Sequence, residues 1–133
     1  MPKRFVYPTA NSIKTMNEIV NLTSTKKADS FKMLRADEFL ENIIQEVRDT
    51  GGDVYDKAAV LLRRIIVTHV FASGNKRTGF IVSAYFIEEN GGRILFKDID
   101  KLESILRNIR LYSEKEISNW LRSGDIDESR LKR

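Results

Sequence analysis

The chain has no cysteine, two prolines, one tryptophan and one histidine in 133 residues. Zero cysteine excludes a disulfide-stapled scaffold and cysteine-based zinc sites, and it fits a reducing compartment. No apolar run approaches the roughly 20 residues that a membrane-spanning helix needs. No N-terminal stretch has the apolar core of a signal peptide. The expectation is a cytoplasmic protein with no membrane partner. Neither sign of charge dominates: 23 Lys and Arg stand against 19 Asp and Glu, a net charge of +4. That mild excess is compatible with nucleotide, nucleic acid or an acidic partner, and selects none of them. Repeats, low-complexity tracts and linkers are also missing. The length sets one domain over residues 1–133, ending in a charged tail at 124–133 that is expected to be frayed and flexible.

What is present is helical periodicity. Ile13, Met16, Ile19 and Val20 mark a first helix over 11–22. A polar stretch follows, then the alternation of Phe31, Lys32, Met33, Leu34 and Arg35, which reads either as a short hairpin or as the entry to a helix. Phe39, Leu40, Ile43, Ile44 and Val47 put one apolar face on a helix over 37–48. Gly51 and Gly52 end it. Asp53 is placed to cap the next helix, 54–68, whose buried side carries Val54, Ala58, Leu61, Leu62, Ile65 and Ile66. Arg63 and Arg64 are expected in solvent. Residues 76–89 are apolar nearly all round, which predicts the central buried helix. Asn90-Gly91-Gly92 stops it. A short β-like piece at 93–96 precedes a helix over 98–109. Ser113 to Glu116 forms a capping box for a last helix carrying Ile117, Trp120 and Leu121. The fold class is all-α, a helical bundle of about six helices with at most a short β-hairpin.

The chemistry concentrates between the third and fourth helices, in His69-Val70-Phe71-Ala72-Ser73-Gly74-Asn75-Lys76-Arg77. Gly74 and Asn75 are loop and cap residues, so Lys76 and Arg77 fall at a helix N-terminus. Unpaired N–H groups and a partial positive charge gather there. Two cations at that place are unfavourable without an anion, so the pattern reads as a phosphate site. Gly74 lets the backbone approach a phosphate or simply takes a positive φ. Asn75 can donate to a phosphate oxygen or cap the helix. Lys76 and Arg77 offer a point charge and a fork to phosphates. His69, one short loop away, is the candidate general base. Phe71 reads as a wedge that packs the loop on the core.

These nine residues resemble the signature of the Fic/Doc family, His-x-Phe-x-acid-Gly/Ala-Asn-Gly/Lys-Arg. Lys76 after Asn75 is similar to the Doc (death-on-curing) branch. The Fic branch usually has Gly at that position and a second Arg where this chain has Phe80. The resemblance covers a core at about 35–121 and implies a compact helical bundle in which Phe31 to Arg35 form a flap that docks an extended segment of the target. For the Doc branch it implies a toxin kinase that transfers the γ-phosphate of ATP to a protein hydroxyl. The family's target is elongation factor Tu, with translation arrested. His69 would be catalytic, and Gly74, Asn75, Lys76 and Arg77 would hold the nucleotide. Fic proteins instead transfer AMP, a reading that Lys76 disfavours.

One departure matters. The family's Mg²⁺-binding acid is Ser73 here. A hydroxyl is a poor ligand for a hard cation, so Ser73 is a weak metal candidate, or only the cap of the following helix. A degenerate domain that binds nucleotide or a partner without turnover is therefore a third reading. The chain lacks the family's inhibitory Ser/Thr-x-x-x-Glu-Gly/Asn run, which points to an antitoxin chain acting in trans or to a site that needs no restraint. Nucleic acid is disfavoured as a partner, because neither a basic stripe nor a reading helix is evident.

Overall fold

Two of the helices begin at capping boxes that the sequence supplies. In the computed structural model, which describes residues 4–22, 36–94 and 99–131, the helices are α1 (Ala10–Leu22), α2 (Ala36–Asp49), α3 (Val54–Thr68), α4 (Asn75–Glu89), α5 (Ile99–Arg107) and α6 (Glu114–Ser123). Single 3₁₀ turns follow at Ile109–Leu111 and Glu128–Arg130. Among the described residues there is no strand, and the fold is all-α. The stretch Phe31 to Arg35 lies outside the described residues, as does the second half of the β-like piece at 93–96. No described helix is long and apolar enough to cross a membrane.

The Asp53 carboxylate accepts from the N–H groups of Tyr55 and Asp56, both at 3.0 Å. The Asp56 carboxylate accepts in return from the Asp53 N–H at 2.9 Å. This closes a capping box with Asp in the place of Glu. Ser113 and Glu116 close a second box on α6, as its sequence predicts. Arg122 of α6 joins the two helices, 2.9 Å from the Asp53 carboxylate. Ser118 adds a bond of 2.6 Å to Asp56.

The central helix is α3, not α4. It packs against α2, α4, α6 and the 3₁₀ turn at 109–111. It buries Val54, Lys57, Ala58, Ala59, Val60, Leu61, Leu62, Ile65 and Ile66. Covering an apolar side chain of this size contributes about 1.5–3 kcal/mol. Helix α4 packs against α3 and α1, and Tyr7 stacks on its Phe86. Its remaining side leaves Ile81 38% and Tyr85 62% exposed. Gly79 lets α3 and α4 come close: a Cβ there would lie 3.2 Å from the Ile66 side chain.

Three more expectations change. Helix α1 buries Asn17 while Ile19 is 49% exposed. Arg63 and Arg64 are half-buried. Arg63 Nε donates to the Tyr112 carbonyl at 3.1 Å, and Arg64 pairs with Glu46 at 2.9 Å. The segment after Gly124, expected to be a charged tail, makes specific contacts as far as Leu131. Tyr112 donates to the Asp127 carbonyl at 2.8 Å, Arg130 pairs with Glu116 at 2.7 Å, and Ile126 and Leu131 lie on the core.

Lys57 is buried, and among the described residues it pairs with no carboxylate. Its ammonium donates to the carbonyls of Val47 (3.2 Å), Arg48 (3.2 Å) and Thr50 (2.6 Å), closing the C-terminal end of α2. The rings of Phe5 and Tyr7 lie over it at 5.0 and 5.5 Å. Asn90 holds that aromatic segment in place, accepting from the Val6 N–H at 2.7 Å and donating to the Val6 carbonyl at 3.0 Å.

Two predictions follow from these contacts. Lys57→Met removes a donor from three carbonyls, of which Val47 keeps the Thr50 N–H at 3.2 Å, and should cost about 1–3 kcal/mol in urea unfolding; an unchanged midpoint would sink the capping role. The second concerns acid. Burial pushes the Asp56 carboxyl up, but bonds from Ser118 and Asp53 and the Arg122 charge together outweigh it and hold the group low. Glu116 is held low by the Ser113 N–H and by Arg130. A carboxyl that is lower in the folded state gives stability above its unfolded value and loses it as pH falls through the folded one. The urea midpoint should therefore be level above about pH 5 and fall below about pH 4. A midpoint that stays level down to about pH 3 would contradict this.

Candidate functional site

The loop from His69 to Gly74 joins the central helix to its closest neighbour. His69 ends α3. It takes a left-handed conformation, φ 55° and ψ 55°, and its N–H bonds the Ile66 carbonyl at 3.2 Å. It is the sole non-glycine residue among those described with a positive φ. Such strain persists only where surrounding packing over-determines it. That packing comes next in the chain: Val70 is fully buried and Phe71 is 9% exposed, both within the core. Phe71 is thus the wedge that its place in the motif suggests.

Helix α4 opens at Gly74, which is also left-handed, with φ 79° and ψ 17°. The first intrahelical bond is from the Thr78 N–H to the Gly74 carbonyl, at 2.9 Å. The N–H groups of Asn75, Lys76 and Arg77 therefore have no intrahelical acceptor. No side chain caps this end, so Ser73 is not the N-cap. Lys76 and Arg77 are exposed beside it. The arrangement is a helix N-terminus with open donors and two cations, fit to receive an anion.

Asn75 differs from Lys76 and Arg77 in being 5% exposed. Its carboxamide makes a reciprocal pair with the Phe71 backbone. Oδ1 accepts from the Phe71 N–H at 2.9 Å, and Nδ2 donates to the Phe71 carbonyl at 2.8 Å. The same Nδ2 lies 3.3 Å from His69 Nδ1. The side chain is thus engaged within the loop, and what Asn75 turns toward an anion is its backbone N–H.

Helix α1 braces the loop from the other side. Asn17 Nδ2 donates to the Ser73 carbonyl at 2.9 Å and to Thr78 Oγ1 at 3.1 Å. Asn21 Nδ2 bonds Asn17 Oδ1 at 3.2 Å. Sequence reasoning missed both asparagines. The available signal was a polar residue in the stripe between Ile13 and Val20. Ser73 turns its carbonyl inward to Asn17 and is half-buried. Among the described residues no group of three or more Asp, Glu or His side chains gathers. Ser73 brings a hydroxyl where the family has a carboxylate, a poorer ligand for a hard cation.

Gly74 meets two constraints at once. A Cβ there would stand 2.7 Å from Asn21 Oδ1, and its φ is one that L side chains rarely adopt. Gly91, with φ 88°, has nothing within 4 Å of its would-be Cβ. Gly91→Ala should cost only the left-handed penalty of about 1–2 kcal/mol. Gly74→Ala should cost more and speed hydrogen exchange at Thr78. Equal costs in urea unfolding would show that Asn21 yields freely and does not hold the loop.

The family model for the Fic/DOC family matches residues 7–87, more than half of the chain. No curated protein and no solved structure gives a match. The matched span runs from the aromatic segment over Lys57 through the motif loop into α4. It contains the left-handed histidine, the open helix N-terminus and the braces that hold them together. The chain belongs to the Fic/DOC family, whose general chemistry is group transfer from nucleotides.

Proposed function

We propose that this protein is a Doc-like kinase that transfers the γ-phosphate of ATP to a hydroxyl of a protein target. The observation that carries this reading is the pairing of Lys76 and Arg77 with an uncapped helix N-terminus, one short loop from the sole histidine. A triphosphate brings several negative charges. The three open N–H groups, the Lys76 ammonium and the Arg77 guanidinium are the groups of this chain that would meet them. Lys76 in place of glycine supports the Doc-type orientation of the nucleotide, with the γ-phosphate nearest the histidine.

In the transfer, the target's hydroxyl oxygen forms a bond to the γ-phosphorus. The bond from that phosphorus to the bridging oxygen breaks, and ADP leaves. The hydroxyl proton passes to the His69 imidazole, a contribution of about 10²–10⁴ in rate. Positioning and charge stabilisation supply most of such a reaction. The chain's own contribution to both is the helix end with its two cations. In the family the target is elongation factor Tu and restraint comes from an antitoxin chain. Both are proposed here as partners in the cytoplasm.

Ser73 favours a second reading, a domain that binds nucleotide or a protein partner without turnover. One experiment separates the readings. The protein is incubated with magnesium, elongation factor Tu and cell extract, with ATP labelled at the γ- or the α-phosphate. The kinase reading expects label on protein from the γ arm alone, reduced about 10²–10⁴-fold in His69→Ala. Label from the α arm would establish AMP transfer instead. No label with the natural chain, but label with Ser73→Asp, would establish degeneracy. Lys76→Ala should weaken ATP binding about ten- to a hundredfold, the worth of one charged hydrogen bond of roughly 1.5–3 kcal/mol. Calorimetric titration reads that directly, and unchanged affinity would remove Lys76 from the site.

A further inference from the structure

We infer that Asn75 holds the neutral His69 ring as the tautomer with its proton on Nε2, so that the ring's free nitrogen is a hydrogen-bond donor until the Asn75 contact is broken. The argument starts from the Asn75 carboxamide. Its two ends are fixed by groups with no choice of role. The Phe71 N–H can only donate, and the atom it meets, 2.9 Å away, is therefore Oδ1. The Phe71 carbonyl can only accept, and the atom it meets at 2.8 Å is therefore Nδ2. An exchanged amide would set donor against donor and acceptor against acceptor.

Nδ2 carries two hydrogens and accepts nothing. One goes to the Phe71 carbonyl. The other faces His69 Nδ1 at 3.3 Å. That nitrogen must then offer its lone pair, and the neutral ring keeps its single proton on Nε2. A ring protonated on Nδ1 would put N–H against N–H. No bond to Nε2 is seen among the described residues, and His69 is exposed.

The consequence rests on the reading that His69 meets the acceptor hydroxyl, although the tautomer does not. With its proton on Nε2 the ring can donate to a phosphate oxygen but cannot take a proton there. To act as a base at Nε2 it must first carry its proton on Nδ1. That requires the Asn75 contact to open, either by rotation of the ring or by displacement of the amide. Asn75 is thereby a positioning residue, acting on the reaction through His69. It is set against premature proton removal, and occupation of the site is what would release it.

The sole histidine makes the test unambiguous, because the protein has one imidazole spin system. Long-range ¹H–¹⁵N correlation on ¹⁵N-labelled protein, at a pH where the ring is neutral, reads which nitrogen is protonated. The expected result is an unprotonated Nδ1 and a protonated Nε2, with no detectable second tautomer. Asn75→Ala removes the donor and should let a fraction protonated on Nδ1 appear. Asn75→Asp presents an acceptor and should make that form dominant. A wild-type ring protonated on Nδ1 would overturn the inference, and that measurement needs no variant to fold. So would the same tautomer ratio in wild type and in folded Asn75→Ala. Either result leaves the transfer assay untouched, so failure here and failure of the kinase reading are distinguishable.

Discussion

Burial of α3 is the constraint on which everything else depends. Its buried residues lie on more than one face, so no single partner helix covers them. Helices α2, α4, α6 and the turn at 109–111 each take one side. Their positions follow from what each covers. The two ends of α3 are then fixed by different means. Its start is a polar lock of Asp53, Asp56, Ser118 and Arg122 that spans to α6. Its end is a strained histidine, held because Val70 and Phe71 beside it cannot leave the core. A rigid helix with one locked end is a good base from which to present a side chain at the other.

Several buried polar side chains share one task. Asn17, Asn75, Asn90 and Lys57 each bond backbone groups in loops or at helix ends. Asn17 takes the Ser73 carbonyl, Asn75 the Phe71 peptide, Asn90 the Val6 peptide and Lys57 the last carbonyls of α2. Buried backbone groups must be paired. A carboxamide, with a donor and an acceptor side by side, is suited to an isolated peptide unit. These bonds make the connecting segments as definite as the helices. Two of them, from Asn17 and Asn75, converge on the loop between α3 and α4. That loop is thus held in place by its own chain.

Much of this was legible in the sequence. The start of α3 and the capping box of α6 follow from Asp53, Ser113 and Glu116, because caps act over three or four residues. The motif was legible for the same reason: His69 to Arg77 is a contiguous stretch whose residue types carry its chemistry. The site's internal bonding was not. Asn75 read as a phosphate donor or a cap, yet its side chain is spent on Phe71. The Ser73 carbonyl turns inward rather than capping α4.

The sequence by itself determined the helical periods, the caps, the breaks at Gly51-Gly52 and Asn90-Gly91-Gly92, and membership of the family through one short motif. These are local properties, set by side chains and backbone within a turn or two of one another. Only the tertiary structure decided that α3 rather than α4 is central, that Ile81 and Tyr85 face outward, and that Asn17 is buried while Ile19 is not. Those outcomes depend on segments brought together from far apart in the chain. Asn17 lies 56 residues from the Ser73 carbonyl that it bonds, and Asn90 lies 84 from Val6. Periodicity says that a helix has an apolar face. Which backbone groups need a partner, and which side chain meets them, is fixed only when the helices pack.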